Sequence, residues 1–250
     1  MSVHISDSAI FRHAWSTPEL RELFDDTTLV AGWIEVMAVL AETQAEFGLI
    51  PAPAAARMAA ACRTLPVDAA LLAEAREGYE RTHHSLLGLI HALQRRCPEN
   101  SGEWLCYGAT VQDITDTHTA RVLIRVRESY RHQLAAIADV LCGLARRHRE
   151  TPMCGRTHGQ PGLPITFGFK AAGWLDEIQR HRQRLDDVGG RLEVGQLGGG
   201  VGSLSSLGPQ ALELQRRFFA RLGLMAPAIS WTACRDRLAD WLNLLTLITA

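Results

Sequence analysis

An all-α fold is what this sequence predicts, on three observations. Apolar residues recur with a period near 3.6 over most of its 250 residues, no stretch alternates convincingly as a strand, and glycine and proline cluster between the periodic runs. At 47% hydrophobic residues the chain is long enough to bury a large core. The periodic runs are Leu29–Phe47, Ala54–Cys62, Ala69–Ala75, His84–Leu93, Thr117–His148, Phe167–Leu192, Pro209–Leu222 and Arg235–Thr249. Between them lie the breakers Ile50-Pro-Ala-Pro53, Cys97-Pro-Glu-Asn-Ser-Gly102, Pro161-Gly-Leu-Pro164, Gly198-Gly-Gly-Val-Gly202 and Gly208-Pro209.

Two runs predict unusually long helices. Thr117–His148 carries Val122, Leu123, Val126, Leu134, Ile137, Val140, Leu141 and Leu144, a stripe expected to bury along the whole helix. The run after Thr166 holds Phe167, Phe169, Ala172, Trp174, Leu175 and Ile178, with Gly189-Gly190 as a place to bend. A third helix begins in Trp231–Ala250 and meets no stop signal. Shorter helices fill the chain to about residue 105, so a boundary there predicts an N-terminal helical domain over 1–105 and a long-helix bundle over 106–250.

The charge balance is close to even, with 26 basic and 27 acidic side chains. No general field for nucleic acid or an acidic membrane surface follows, and any selectivity for anions must be local. No run predicts a membrane span or a secretion signal, which predicts a cytoplasmic protein. The six cysteines show no C-x-x-C spacing or metal-type cluster, so they predict reduced structural thiols and no metal.

Two polar segments stand where long helices begin. In Gly108-Ala-Thr-Val-Gln-Asp-Ile-Thr-Asp-Thr117, small residues allow close backbone approach, Thr110 and Gln112 offer neutral donors, and Thr110 with Asp113 fits a capping box. In Gly155-Arg-Thr-His-Gly-Gln-Pro-Gly-Leu-Pro164, His158 sits between Thr157 and glycine, where an imidazole can face a cleft near neutral pH. Thr82-His83-His84-Ser85 opens another helix, and Gln196-Leu-Gly-Gly-Gly-Val-Gly-Ser203 is glycine-rich without the preceding strand that a dinucleotide site needs.

These segments resemble the first two signature regions of the fumarase/aspartase superfamily, in its adenylosuccinate lyase and 3-carboxy-cis,cis-muconate cycloisomerase branch. The resemblance covers nearly the whole chain, as the N-terminal part of a longer family member. It implies a lyase that eliminates a group from a substituted succinate, by C–N bond cleavage of the adenylosuccinate lyase type, and releases fumarate, with cycloisomerase-type lactonisation as the alternative. It implies no cofactor, a dicarboxylate substrate, and a homotetramer whose active sites are shared between subunits. His158 becomes the general acid, with Thr157 and Gln160 beside it on the substrate. Thr110, Gln112 and Asp113 become the binding segment, Asp113 chiefly as an organising carboxylate. Thr82-His83-His84 resembles a Thr-x-His-Asp pattern in which the histidine approaches the reaction centre; Ser85 replaces the aspartate, so the hydrogen bond that orients His84 must come from elsewhere. Ser203 and Arg235 are further substrate contacts on this likeness. The family's serine-bearing loop is absent from these 250 residues, and a chain without it is expected to be a catalytically incomplete, oligomerising piece.

Overall fold

The computed structural model describes Ile5, residues 8–14 and residues 16–249. Among them the helices are α1 (Pro18–Leu23), α2 (Asp26–Glu46), α3 (Ala52–Thr64), α4 (Ala69–Thr82), α5 (Leu87–Arg96), α6 (Val111–Arg147), α7 (Phe167–Leu192), α8 (Ala211–Arg221) and α9 (Asp236–Thr249). Ala250, the last residue of the predicted third long helix, lies outside the described residues. The strands β1 (Pro152–Thr157) and β2 (Gln160–Thr166) form an antiparallel hairpin between α6 and α7. The all-α prediction therefore holds, with this hairpin and an isolated bridge between Val194 and Met225 as the β-structure among the described residues.

Local chemistry accounts for the helix starts. Asp25 caps α2 by accepting the Thr28 N–H at 2.8 Å, and Asp68 caps α4 by accepting from Ala70 and Leu71 at 3.0 Å. Pro53 occupies the first turn of α3, where its missing N–H costs nothing. Helix α6 begins two turns before its apolar stripe, because Asp113 stabilises the first turn although Gln112, Asp113, Thr115 and Asp116 show no helical periodicity.

The chain forms two compact units, one running up to Val122 and including Glu193–Cys234, the other made of Leu123–Leu192 and the chain from Arg235. In the first unit α2 packs on α3 and α8, and α4 packs on α5. Its core holds Met37, Leu40, Met58, Leu71, Leu86, Leu89, Leu93, Ile114, Phe218 and Phe219, all fully buried. At about 1.5–3 kcal/mol for each fully buried large side chain, this core is the main source of that unit's stability.

In the second unit α7 packs on α9 and on β2. Gly189 does the work of a notch there, since a Cβ would overlap the Arg127 guanidinium, which donates to the Leu185 carbonyl at 3.3 Å. The α6 stripe is buried at Val126 and Leu134, but Ile137 is 44% and Val140 63% exposed. Phe169 and Trp174 on α7 are also exposed. Burial of the whole stripe, as its sequence predicts, needs a surface beyond the described residues.

His118 is the first unit's most sensitive buried group. It is 5% exposed, neither ring nitrogen has a hydrogen-bond partner, and a Cβ at Gly32 of α2 would overlap the ring. Burial, aided by the nearby Arg121 charge, holds its pKa down at about 4 against an ordinary 6.5. Between those values the unfolded chain binds a proton that the folded chain refuses. Stability is thus complete above 6.5 and falls as the pH drops toward 4, by at most ~3 kcal/mol. Urea midpoints at neutral and mildly acid pH test this: His118→Leu should be no less stable at neutral pH and should flatten the acid loss, whereas an unchanged acid slope in that variant would place its cause in other groups.

Candidate active site

The first unit brings one set of the predicted residues together around the N-terminus of α6. The approach to that helix needs left-handed backbone at Cys106 and Gly108, with φ of 58° and 68°. Asp113 then sits on the third residue of the helix with no exposed surface. One carboxylate oxygen accepts the Thr110 and Gly199 N–H groups, each at 2.9 Å, and the other accepts the Gly198 N–H at 2.9 Å and the Gln196 amide at 3.1 Å. The Thr110 bond is the half of a capping box that runs from the third residue back to the cap. Burial pushes the Asp113 carboxyl above its usual range, while these four donors pull it back.

Gln196 is the second hub and was not singled out from the sequence. Its backbone N–H donates to the Thr117 hydroxyl at 3.0 Å, and that hydroxyl donates to the Gln196 carbonyl at 2.8 Å. Its side-chain NH₂, already donating to Asp113, shares its second N–H between the Ser230 and Thr232 hydroxyls, each at 2.9 Å, and its amide oxygen accepts the Trp231 N–H at 2.7 Å. Buried polar groups need such partners, so the helix start, the glycine-rich loop and the Ser230–Thr232 segment are held as one piece. A sequence signal for it existed: a lone amide between Val194 and Leu197 at the head of a glycine run.

His84 lies just before α5. Its Nδ1 accepts the Leu87 N–H at 3.0 Å, which supplies the orienting bond left open by Ser85. His84 and Thr110 line a common cavity of about 250 Å³ with Leu86, Leu87, Ile90, Cys106, Ala109, Val111 and Ile114. Gln112 is exposed one turn away, with its amide 3.5 Å from the Thr232 carbonyl. Ser203 is exposed and donates to Ser205 at 3.0 Å.

His158, Thr157 and Gln160 belong to the second unit. Thr157 pairs with Gln160, so His158 and Gly159 form a two-residue hairpin turn, with φ of 50° and 74°. Positive φ at both central residues defines a type I′ turn, which suits the twist of the flanking strands. The imidazole is therefore carried at an exposed tip. Pro161 and Pro164, expected to prevent a strand from forming, instead sit in β2 opposite Arg156 and Cys154. A two-stranded ribbon tolerates them because each strand has an edge that needs no N–H donor. Arg235 is exposed at the start of α9, in the same unit.

The family described as "Lyase" matches residues 12–250. The chain belongs to this lyase family, within the fumarase/aspartase superfamily. It is 38% identical, over its whole length, to N-acetyl-S-(2-succino)cysteine lyase of Enterococcus italicus, of which it covers 54%. It is 35% identical over 99% of its length to adenylosuccinate lyase of Methanocaldococcus jannaschii, covering 52% of that protein. Among solved structures, the 3-carboxy-cis,cis-muconate lactonizing enzyme of Pseudomonas putida superposes with a TM-score of 0.89 at 33% identity, covering 96% of this chain and 55% of that one. The chain thus spans about half the length of the relatives it matches.

Proposed function

We propose that the protein containing this chain is a lyase that removes a nitrogen- or sulfur-linked group from a substituted succinate by β-elimination and releases fumarate. The observation that carries this reading is the Asp113-locked start of α6, which faces a cavity shared by Thr110 and His84. Loss of a proton beside a carboxylate, to a base that the resemblance assigns to the family's serine-bearing loop and not to these 250 residues, builds a dianion, and fixed neutral donors stabilise such charge by about 3 kcal/mol each. Thr110 and Gln112 supply donors at one end of the substrate, with Thr157, Gln160, Ser203 and Arg235 as further contacts. His158 protonates the departing heteroatom, a step worth ~10²–10⁴ in rate. Asp113 takes no proton in this scheme; it holds the donors in place.

The division into a helical domain over 1–105 and a bundle domain from 106 onward, and assembly as a homotetramer with shared active sites, belong to the same proposal. Exposed Ile137, Val140, Phe169 and Trp174 support the assembly, because each leaves apolar surface in water. Likeness to the Pseudomonas putida enzyme favours a second reading, lactonising cycloisomerisation of a carboxymuconate. Incubating protein from the complete natural reading frame with N- and S-succinylated compounds, and separately with carboxymuconate, separates the two. Fumarate release supports elimination; consumption of carboxymuconate without any fumarate release overturns it in favour of the second reading.

A further inference from the structure

Near the end of α2, Gln44 reaches the chain that leads into α6. Its Nε2 donates to the Tyr107 carbonyl at 2.6 Å, across a sequence separation of 63 residues. Only the NH₂ end of an amide can serve a carbonyl, so this bond fixes which end faces Tyr107. Gln44 has no exposed surface, so its own surroundings are complete within the described residues. Its Oε1 is buried as well, and no donor among the described residues reaches it. An unmet buried acceptor costs about 1–3 kcal/mol, and an apolar side chain of similar shape would fill the same place without that cost. Packing therefore does not account for a glutamine here, whereas the bond made by its NH₂ does.

The carbonyl that it holds lies between two left-handed residues, Cys106 at φ 58° and Gly108 at 68°. Such backbone costs a cysteine about 1–2 kcal/mol and persists only where its surroundings impose it. Ala109 donates its N–H back to the Cys106 carbonyl at 3.0 Å, and a Cβ at Gly199 would stand 3.0 Å from the Gly108 carbonyl. The segment is thus tied to α2 by Gln44 and closely approached by the glycine-rich loop. Thr110 follows directly, with its N–H on Asp113.

We propose that Gln44 is a positioning residue for the reaction: its bond to Tyr107 holds the left-handed approach to α6 in the conformation that sets Thr110 against the substrate. Gln44 touches no substrate itself. This role rests on the elimination reading, in which Thr110 is a substrate donor. Asp113 fixes Thr110 from within α6, and Gln44 fixes the chain that precedes it.

The test uses protein from the complete reading frame, with adenylosuccinate and S-(2-succino)cysteine as N- and S-linked probes. Gln44→Met keeps the volume and deletes the donor together with the unmet acceptor. Its Tm should stay within about 3 °C of wild type. Hydrogen exchange over residues 105–112 should rise about tenfold with the rest of the first unit unchanged, and kcat/KM should fall about 10–100-fold. Gln44→Glu supplies a conditional donor, because a buried carboxyl keeps its proton to higher pH than usual and its O–H can then serve the Tyr107 carbonyl. It should stand within about threefold of wild type at pH ~6 and lose about tenfold along an alkaline limb that the wild type lacks, as the ionised carboxylate faces the carbonyl oxygen. Wild-type turnover in Gln44→Met overturns the positioning role, and unchanged exchange there overturns the hold on the segment. Loss of Tm in step with turnover in both variants, with no new limb in Gln44→Glu, makes Gln44 a packing residue and overturns the proposal as well. Absence of fumarate from both probes with the wild-type enzyme overturns the elimination reading and the part of Gln44 in turnover, while exchange still decides whether Gln44 holds the segment.

Discussion

Asp113→Ala is expected to destabilise the first unit by about 3–5 kcal/mol, the largest stability effect of any single substitution near the site. The carboxylate is fully buried and accepts four hydrogen bonds. Its removal strands the N–H groups of Thr110, Gly198 and Gly199 and one donor of Gln196. An unsatisfied buried donor costs about 1–3 kcal/mol, and the sum is lowered as water enters the vacated space. Asp113→Asn should cost about half as much, because its oxygen still serves one pair of donors while its NH₂ opposes the other pair. Urea unfolding with two-state fits measures both; a loss below 1 kcal/mol for the alanine variant would show that the network is not what joins the glycine-rich loop to α6. The same variant should also lose turnover, since on the proposed elimination the Thr110 segment that this carboxylate holds is the one that binds substrate.

For His158 the informative substitution is asparagine. The residue holds a φ of 50° at the first central position of a type I′ turn, next to Gly159 at 74°. Asparagine adopts that backbone readily, whereas alanine there adds about 1–2 kcal/mol of strain and confuses folding with chemistry. His158→Asn in the full-length protein should lower fumarate release by ~10²–10⁴-fold and leave the thermal midpoint unchanged, because the exposed imidazole makes little contribution to packing. Near-wild-type turnover would remove His158 from the role of acid, and the protonating group would then have to be sought elsewhere.

The helices were legible because burial along one face imposes a 3.6-residue period that survives in the sequence. Their edges were less so: α4 continues to Thr82, beyond the Ala75 expected, through polar residues that a solvent-facing helix end accepts. Helix α1 was not anticipated, since six residues are too few to display a period. The hairpin was hidden for a different reason. Pro161, Gly162 and Pro164 read as breakers in any local window, and only pairing of Thr157 with Gln160 across the His158-Gly159 turn makes them a strand. Thr110, Asp113 and His158 stood out by resemblance and by their positions beside helix starts, whereas Gln196 did not, because its partners lie up to 83 residues away along the chain.

What the sequence by itself determined is the helical class, the order of the long helices and the two polar segments to which the proposed reaction is assigned. Each is a local property, written in the spacing of apolar residues or in a run of small and polar ones. What only the tertiary structure decided is where backbone donors meet acceptors: Gly198 and Gly199 on Asp113, Leu87 on His84, the hairpin under His158. A backbone N–H is the same in every residue but proline, so no side-chain pattern marks which ones will be called upon, and only the folded chain brings them within reach.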